Sequence, residues 1–134
     1  MKLCRHLSIY LALGWALIII ILCLIPANEL PAPKFTIPHL DKIVHIILYF
    51  VFGILMQFYL YDEKHYSRRI RIFITIIITS CFGAVIEYLQ EAYFNRSSEL
   101  EDLIANFIGI ILSVIIYLLF RNHIKPWYNN LKNS

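Results

Sequence analysis

Four stretches of this chain, Leu7–Ile25, Ile43–Leu60, Ile72–Leu89 and Leu103–Phe120, each run for 18 or 19 residues and contain a single Asp, Glu, Lys or Arg between them, Glu87. At about 1.5 Å of rise per helical residue, each is long enough to cross a hydrocarbon core of about 30 Å. The runs are continuously apolar rather than alternating, which argues for helices and against a transmembrane barrel. Their isoleucine content would favour strands in water. In lipid, every backbone N–H and C=O must find a partner within its own segment, and a helix supplies one. The expectation is an all-α integral membrane four-helix bundle, a single domain over residues 1–134, with helices at about 7–25, 43–60, 71–90 and 103–120.

Composition closes off the alternatives. The chain is 60% hydrophobic and 16% charged, against about 45–50% and 25% for a soluble domain, and a short chain cannot hide that excess. Disorder is excluded by the same abundance of Ile, Leu, Phe and Tyr. Cys4, Cys23 and Cys81 lie in or beside apolar runs without metal-ligand spacing, so they read as small hydrophobes. The first run is too long for the apolar core of a signal peptide and has no small-residue cleavage site after it, so it reads as an anchor. Each run holds one glycine (Gly14, Gly53, Gly83, Gly109), placed for close helix contact rather than turns.

Orientation follows from the basic residues. With the N-terminus cytoplasmic, nine of the twelve fall inside, among them Arg68, Arg69, Arg71 and Arg121, and only Lys34, Lys42 and Arg96 fall outside. Both termini are therefore expected to be cytoplasmic. The basic cluster at 64–71 reads as a topology determinant touching anionic lipid, not as a nucleic-acid site. Of the outer loops, one carries Pro26, Pro31, Pro33 and Pro38 and should be extended. The other leads into helix 4, where Ser97 or Ser98 would cap a helix opening with acidic residues. Tyr59, Tyr61, Tyr93, Phe94, Trp127 and Tyr128 fit interfacial belts.

The polar residues within the helices converge. Asp41, His45, Tyr49 and Gly53 share one face of helix 2; Gly83, Glu87, Gln90 and Glu91 share one of helix 3; Asp102, Asn106, Gly109 and Ser113 share one of helix 4. These stripes fall at one depth, within roughly 10 Å of the outer interface, flanked by Lys42 and Arg96. Ionisable groups in membrane helices cost about 2.5–3.5 kcal/mol near the centre, and they usually face one another or a wet cavity.

Asp41-Lys42-x2-His45-x3-Tyr49-x3-Gly53 resembles a segment of the VanZ-like membrane proteins. Glu87-x2-Gln90, followed by Arg96-Ser97-Ser98-x3-Asp102-x2-Ala105-Asn106-x2-Gly109, resembles that family's second block, with Asn95 standing where members often carry Gly. The resemblance covers nearly the whole chain. It implies four helices, a bacterial cytoplasmic (inner) membrane, and an association with low-level resistance to teicoplanin-type glycopeptides, without a defined biochemical activity.

Three functions fit these residues. In the first, Lys42, His45 and Arg96 hold an anionic lipid head group, a phospholipid or a phosphorylated polyprenyl cell-envelope intermediate, with Asp41, Tyr49, Glu87, Gln90, Asp102 and Asn106 lining the site. In the second, the chain is an accessory or structural subunit of a larger membrane complex and the cluster is a latch. In the third, it is a small hydrolase or transferase for a phosphorylated lipid, with His45 and Glu87 as acid–base candidates. A metal held by His45, Glu87 and Asp102 is the least favoured variant, because no pair has metalloenzyme spacing. Neither cofactor nor metal is expected.

Overall fold

A computed structural model of the chain describes residues 2–25, 39–61, 66–94 and 99–133, with side chains over 7–25, 39–61, 66–94 and 99–122 and at Pro126. It contains four helices: α1 (Lys2–Cys23), α2 (Leu40–Tyr61), α3 (Arg68–Tyr93) and α4 (Leu100–Asn133). The expected elements are all present, but the bounds differ. Hydropathy marks where a helix is apolar, whereas helical hydrogen bonding continues into the polar turns at either end. Thus α2 and α3 begin three residues early, and α4 runs past Arg121 and through Pro126. α1 differs the other way at its end, stopping at Cys23 rather than Ile25.

Among the described residues, three helices are long and apolar enough to cross a membrane: Leu40–Tyr61, Arg68–Tyr93 and Leu100–Asn122. The apolar part of α1, Leu7–Cys23, is shorter and sits at the low end of spanning length.

The bundle gathers its polar helix residues inside, among a core of residues such as Ile19, Leu48, Phe52, Ile86 and Ile110, and exposes many large apolar side chains. Ile47, Phe73, Ile77, Val85, Ile108, Ile115 and Leu119 are exposed, while His45, Gln57, Thr75, Thr79, Glu87, Gln90, Asp102, Asn106 and Ser113 are buried. Water would not tolerate that arrangement, and lipid does. With lipid tails as apolar as the side chains, the helices are held by close packing and hydrogen bonds rather than by hydrophobic burial.

The tightest crossing is α2 on α4, and glycine makes it. A Cβ on Gly109 would strike the backbone carbonyl of Ile46 and come within 3.0 Å of the Phe50 nitrogen. A Cβ on Gly53 would strike the Ser113 hydroxyl, and Gly83 accepts the Tyr49 ring. Gly14 departs from the expected role: it is exposed and has nothing within 4 Å of its Cβ position. α1 is secured instead by the Trp15 indole, which donates to the Leu48 carbonyl at 2.9 Å. Phe52 and Phe82 meet edge to face at 5.2 Å between α2 and α3.

α3 opens on Ser67, whose hydroxyl accepts from the Ile70 N–H, and closes with the Phe94 N–H on the Gln90 carbonyl. Within α3, the hydroxyls of Thr75 and Thr79 donate to the carbonyls of Arg71 and Thr75, one turn back. The expected caps Ser97 and Ser98, and Pro26, Pro31, Pro33 and Pro38, lie outside the described residues, as do the side chains of Trp127 and Tyr128.

Candidate functional site

The end of α1, the start of α2, the end of α3 and the start of α4 meet at one end of the bundle. Alternating helix direction brings them there, and each delivers a polar group. His45 lies one turn into α2, Glu87 two turns from the end of α3, and Asp102 and Asn106 in the first two turns of α4. All four are buried.

Their contacts form one network. His45 Nδ1 lies 2.9 Å from Asn106 Oδ1 and 3.6 Å from Glu87 Oε1. An amide oxygen only accepts, so Nδ1 is the donor in this contact. Asn106 Nδ2 donates to Glu87 Oε1 at 3.3 Å. One turn along α3, Gln90 Nε2 donates to the Cys23 carbonyl at 2.7 Å, tying in α1. Tyr49, fully buried, lays its ring on Gly83. Its hydroxyl has no hydrogen-bond partner among the described residues.

Lys42 sits at the mouth of this cluster among four carboxylates. Its ammonium lies 2.8 Å from Asp41, 2.9 Å from Asp102 Oδ1 and 3.6 Å from Glu101, and it also pairs with Glu99. Asp102 is the buried partner; the other three carboxylates are exposed. Lys42 is therefore a cation already supplied with anions, and Asp102 joins this exposed ring to the buried network. Asp41 and Glu91 are both exposed, so the helical stripes to which the spacing assigned them drift out of the interior. Arg96 lies outside the described residues.

One expectation needs correction: the three polar stripes do not all fall at one depth. The half of the bundle away from the polar end has buried polar groups of its own. It holds Gln57, whose side-chain amide donates to the Ser113 hydroxyl at 3.4 Å, together with Thr75 and Thr79. Ser113 therefore belongs to this deeper band and not to the polar end, because eleven residues of helix, roughly 16 Å, separate it from Asp102. The sequence also gave no sign of a cavity at the other end of the bundle. About 360 Å³ in volume, it is lined by Tyr61, Arg68, Arg71, Tyr117, Arg121 and Asn122. Arg71 Nη1 donates to the Tyr61 carbonyl at 2.8 Å, and its guanidinium stands 5.3 Å from that ring's centre. The basic run signalled the charge there, but only the packing of α2, α3 and α4 makes the hollow.

Comparison with known proteins places the chain. It is 30% identical over 105 residues to Uncharacterized protein C11E3.10 of Schizosaccharomyces pombe, an alignment covering 78% of this chain and 62% of that protein. The chain thus spans less than two thirds of that relative's length. No solved structure matches. The family model VanZ/LLP1 matches residues 7–121, which take in every described residue of the polar cluster. This multi-pass helical membrane protein belongs to the VanZ/LLP1 family.

Proposed function

We propose that the polar end of the bundle binds the phosphorylated head group of a membrane lipid, either a phospholipid or a polyprenyl phosphate. The observation that carries this reading is the depth of the cluster. Lys42, His45, Glu87, Asp102 and Asn106 lie within two turns of the ends of three membrane-length helices, which is head-group level for a chain whose flanks are apolar. Lys42 is held in place by buried Asp102, while its other carboxylate partners are exposed. A phosphate joins the ammonium by displacing one of those exposed partners, and Arg96 supplies a second cation. The distribution of basic residues turns this end to the outer side of the membrane. The VanZ resemblance favours the bacterial inner membrane as the setting and a cell-envelope intermediate as the lipid, in keeping with the link to teicoplanin. The S. pombe relative gives a yeast membrane as the competing setting.

Native mass spectrometry of the gently extracted protein tests the reading. A phosphorylated lipid should co-purify with the wild type and be lost from Lys42→Ala and Arg96→Ala. Equal lipid retention in all three proteins refutes it.

A second reading, the accessory subunit, is favoured by the network itself, since hydrogen bonds from Glu87, Asn106, His45 and Gln90 tie four helices together. As a latch, the cluster should tolerate Glu87→Gln with unchanged or higher thermal stability, because the substitution removes a buried carboxylate. A stoichiometric protein partner should then co-purify in place of lipid.

A further inference from the structure

We propose that His45, Glu87 and Asp102 form a binding site for a divalent transition-metal cation of the Mn²⁺ to Zn²⁺ range. Each residue offers one ligand atom, and the three atoms lie within 4.8 Å of one another. All three residues are buried, and they come from α2, α3 and α4 respectively. This set is the variant the sequence favours least, because each ligand stands on a different helix and no pair has metalloenzyme spacing.

The donor set selects the cation. One imidazole nitrogen and two carboxylates suit Mn²⁺, Fe²⁺, Co²⁺ or Zn²⁺. Ca²⁺ demands six to eight oxygens, and Mg²⁺ prefers to keep most of its waters. The Asn106 contact orients the ring of His45 in the way that an outer partner orients a ligating imidazole.

A neighbouring group in the same protein shows what such a geometry does with a cation. Asp41, Glu99 and Asp102 form a second set of ligand atoms equally close together, and the Lys42 ammonium is bound among them. Asp102 is common to both sets. Being a carboxylate with two oxygens, it serves Lys42 and a metal together. Among the described residues, this end of the bundle carries six carboxylates, Asp41, Glu87, Glu91, Glu99, Glu101 and Asp102, against the one ammonium. Two of the six, Glu87 and Asp102, are buried, where a further cation beside negative charge gains most.

An independent mark of a ligand lies below the three residues. Tyr49 is wholly buried one turn beyond His45, and its hydroxyl has no hydrogen-bond partner among the described residues. That hydroxyl and Asn106 Nδ2, which donates to Glu87, both face the position a Cβ on Gly83 would take, at 3.3 and 3.4 Å. A water in the coordination sphere of a cation is the partner this hydroxyl would take.

The test uses the full chain without an affinity tag, in lipid-free detergent after treatment with a chelator, and Mn²⁺ alone as the probe. Electron paramagnetic resonance should show bound Mn²⁺ with nitrogen coupling from one imidazole, and Zn²⁺ should displace it. Asp102→Asn and Glu87→Gln should weaken binding by about tenfold or more. His45→Gln should remove the nitrogen coupling, whereas His39→Gln should keep it. The proposal is overturned if the wild type binds neither Mn²⁺ nor Zn²⁺, or if binding survives in Asp102→Asn and Glu87→Gln. Nitrogen coupling that persists in His45→Gln overturns it too. The wild-type measurement stands even if a variant fails to fold. Because no lipid is present, cation binding and lipid binding can fail separately.

Discussion

Buried polar residues occur in two bands of this bundle, and the bands are satisfied in different ways. In the middle, Thr75, Thr79 and Ser113 donate to carbonyls three or four residues back in their own helices. Those bonds form wherever the helix forms, whatever lies alongside. At the polar end, Glu87, Asn106, His45 and Gln90 bond across helices, and Lys42 is held by carboxylates drawn largely from α4 and the residue before it. A hydroxyl in the first band is an apolar residue with a local outlet. A carboxylate or imidazole in the second depends on the whole bundle, and it marks where ionisable chemistry has been gathered.

Substitutions that separate the two bands should differ in cost, as read by thermal or denaturant unfolding in detergent. The largest effect is expected for Lys42→Ala, which leaves Asp102 buried without its counter-ion and should cost about 3 kcal/mol, the low end for breaking a buried ion pair. A loss below about 1 kcal/mol would mean that the pair behaves as a surface contact. Next comes Gly109→Ala, where the new methyl meets the α2 backbone and should cost about 2 kcal/mol through overpacking. Gly53→Ala should cost less, because what it meets is the Ser113 hydroxyl, a side chain able to turn. If Gly53→Ala proves the worse of the two, the close crossing lies nearer Ser113 than Ile46.

Gln57→Leu removes one interhelical hydrogen bond in the middle band and should cost about 0.6 kcal/mol, the average for such bonds in a membrane protein. The smallest effect belongs to Thr79→Val, with a change within about 0.5 kcal/mol. A large loss there would show that the middle band also depends on contacts between helices, and the contrast between the bands would fall.

Much of the bundle was legible before any coordinates. The four apolar runs located the helices, and the spacing of His45, Glu87, Asp102 and Asn106 predicted that they would lie at one level. Helical periodicity alone could not say how far a stripe stays inside. Over two or three turns, 3.6 residues per turn carries Asp41 and Glu91 around to the exposed side. Nor could periodicity tell that Gly14 faces outward while Gly109 lies under a backbone carbonyl, since both are single glycines in apolar runs. Lys42 was legible as a cation beside the cluster, but not as one that four carboxylates already hold.

The sequence by itself determined that this chain is helical and lives in a membrane, and the reason is local. An uncharged run of 18 residues can satisfy its backbone in lipid only as a helix, whatever its neighbours are. The tertiary structure alone decided which polar groups touch: that Asn106 bridges His45 and Glu87, that Asp102 serves both Lys42 and the buried set, and that three arginines line a hollow at the far end. The hydrogen-bonded and ion-paired partners are 19 to 61 residues apart. No spacing rule reaches across separate helices, and only the direction and rotation with which they pack bring a ligand from each to one point.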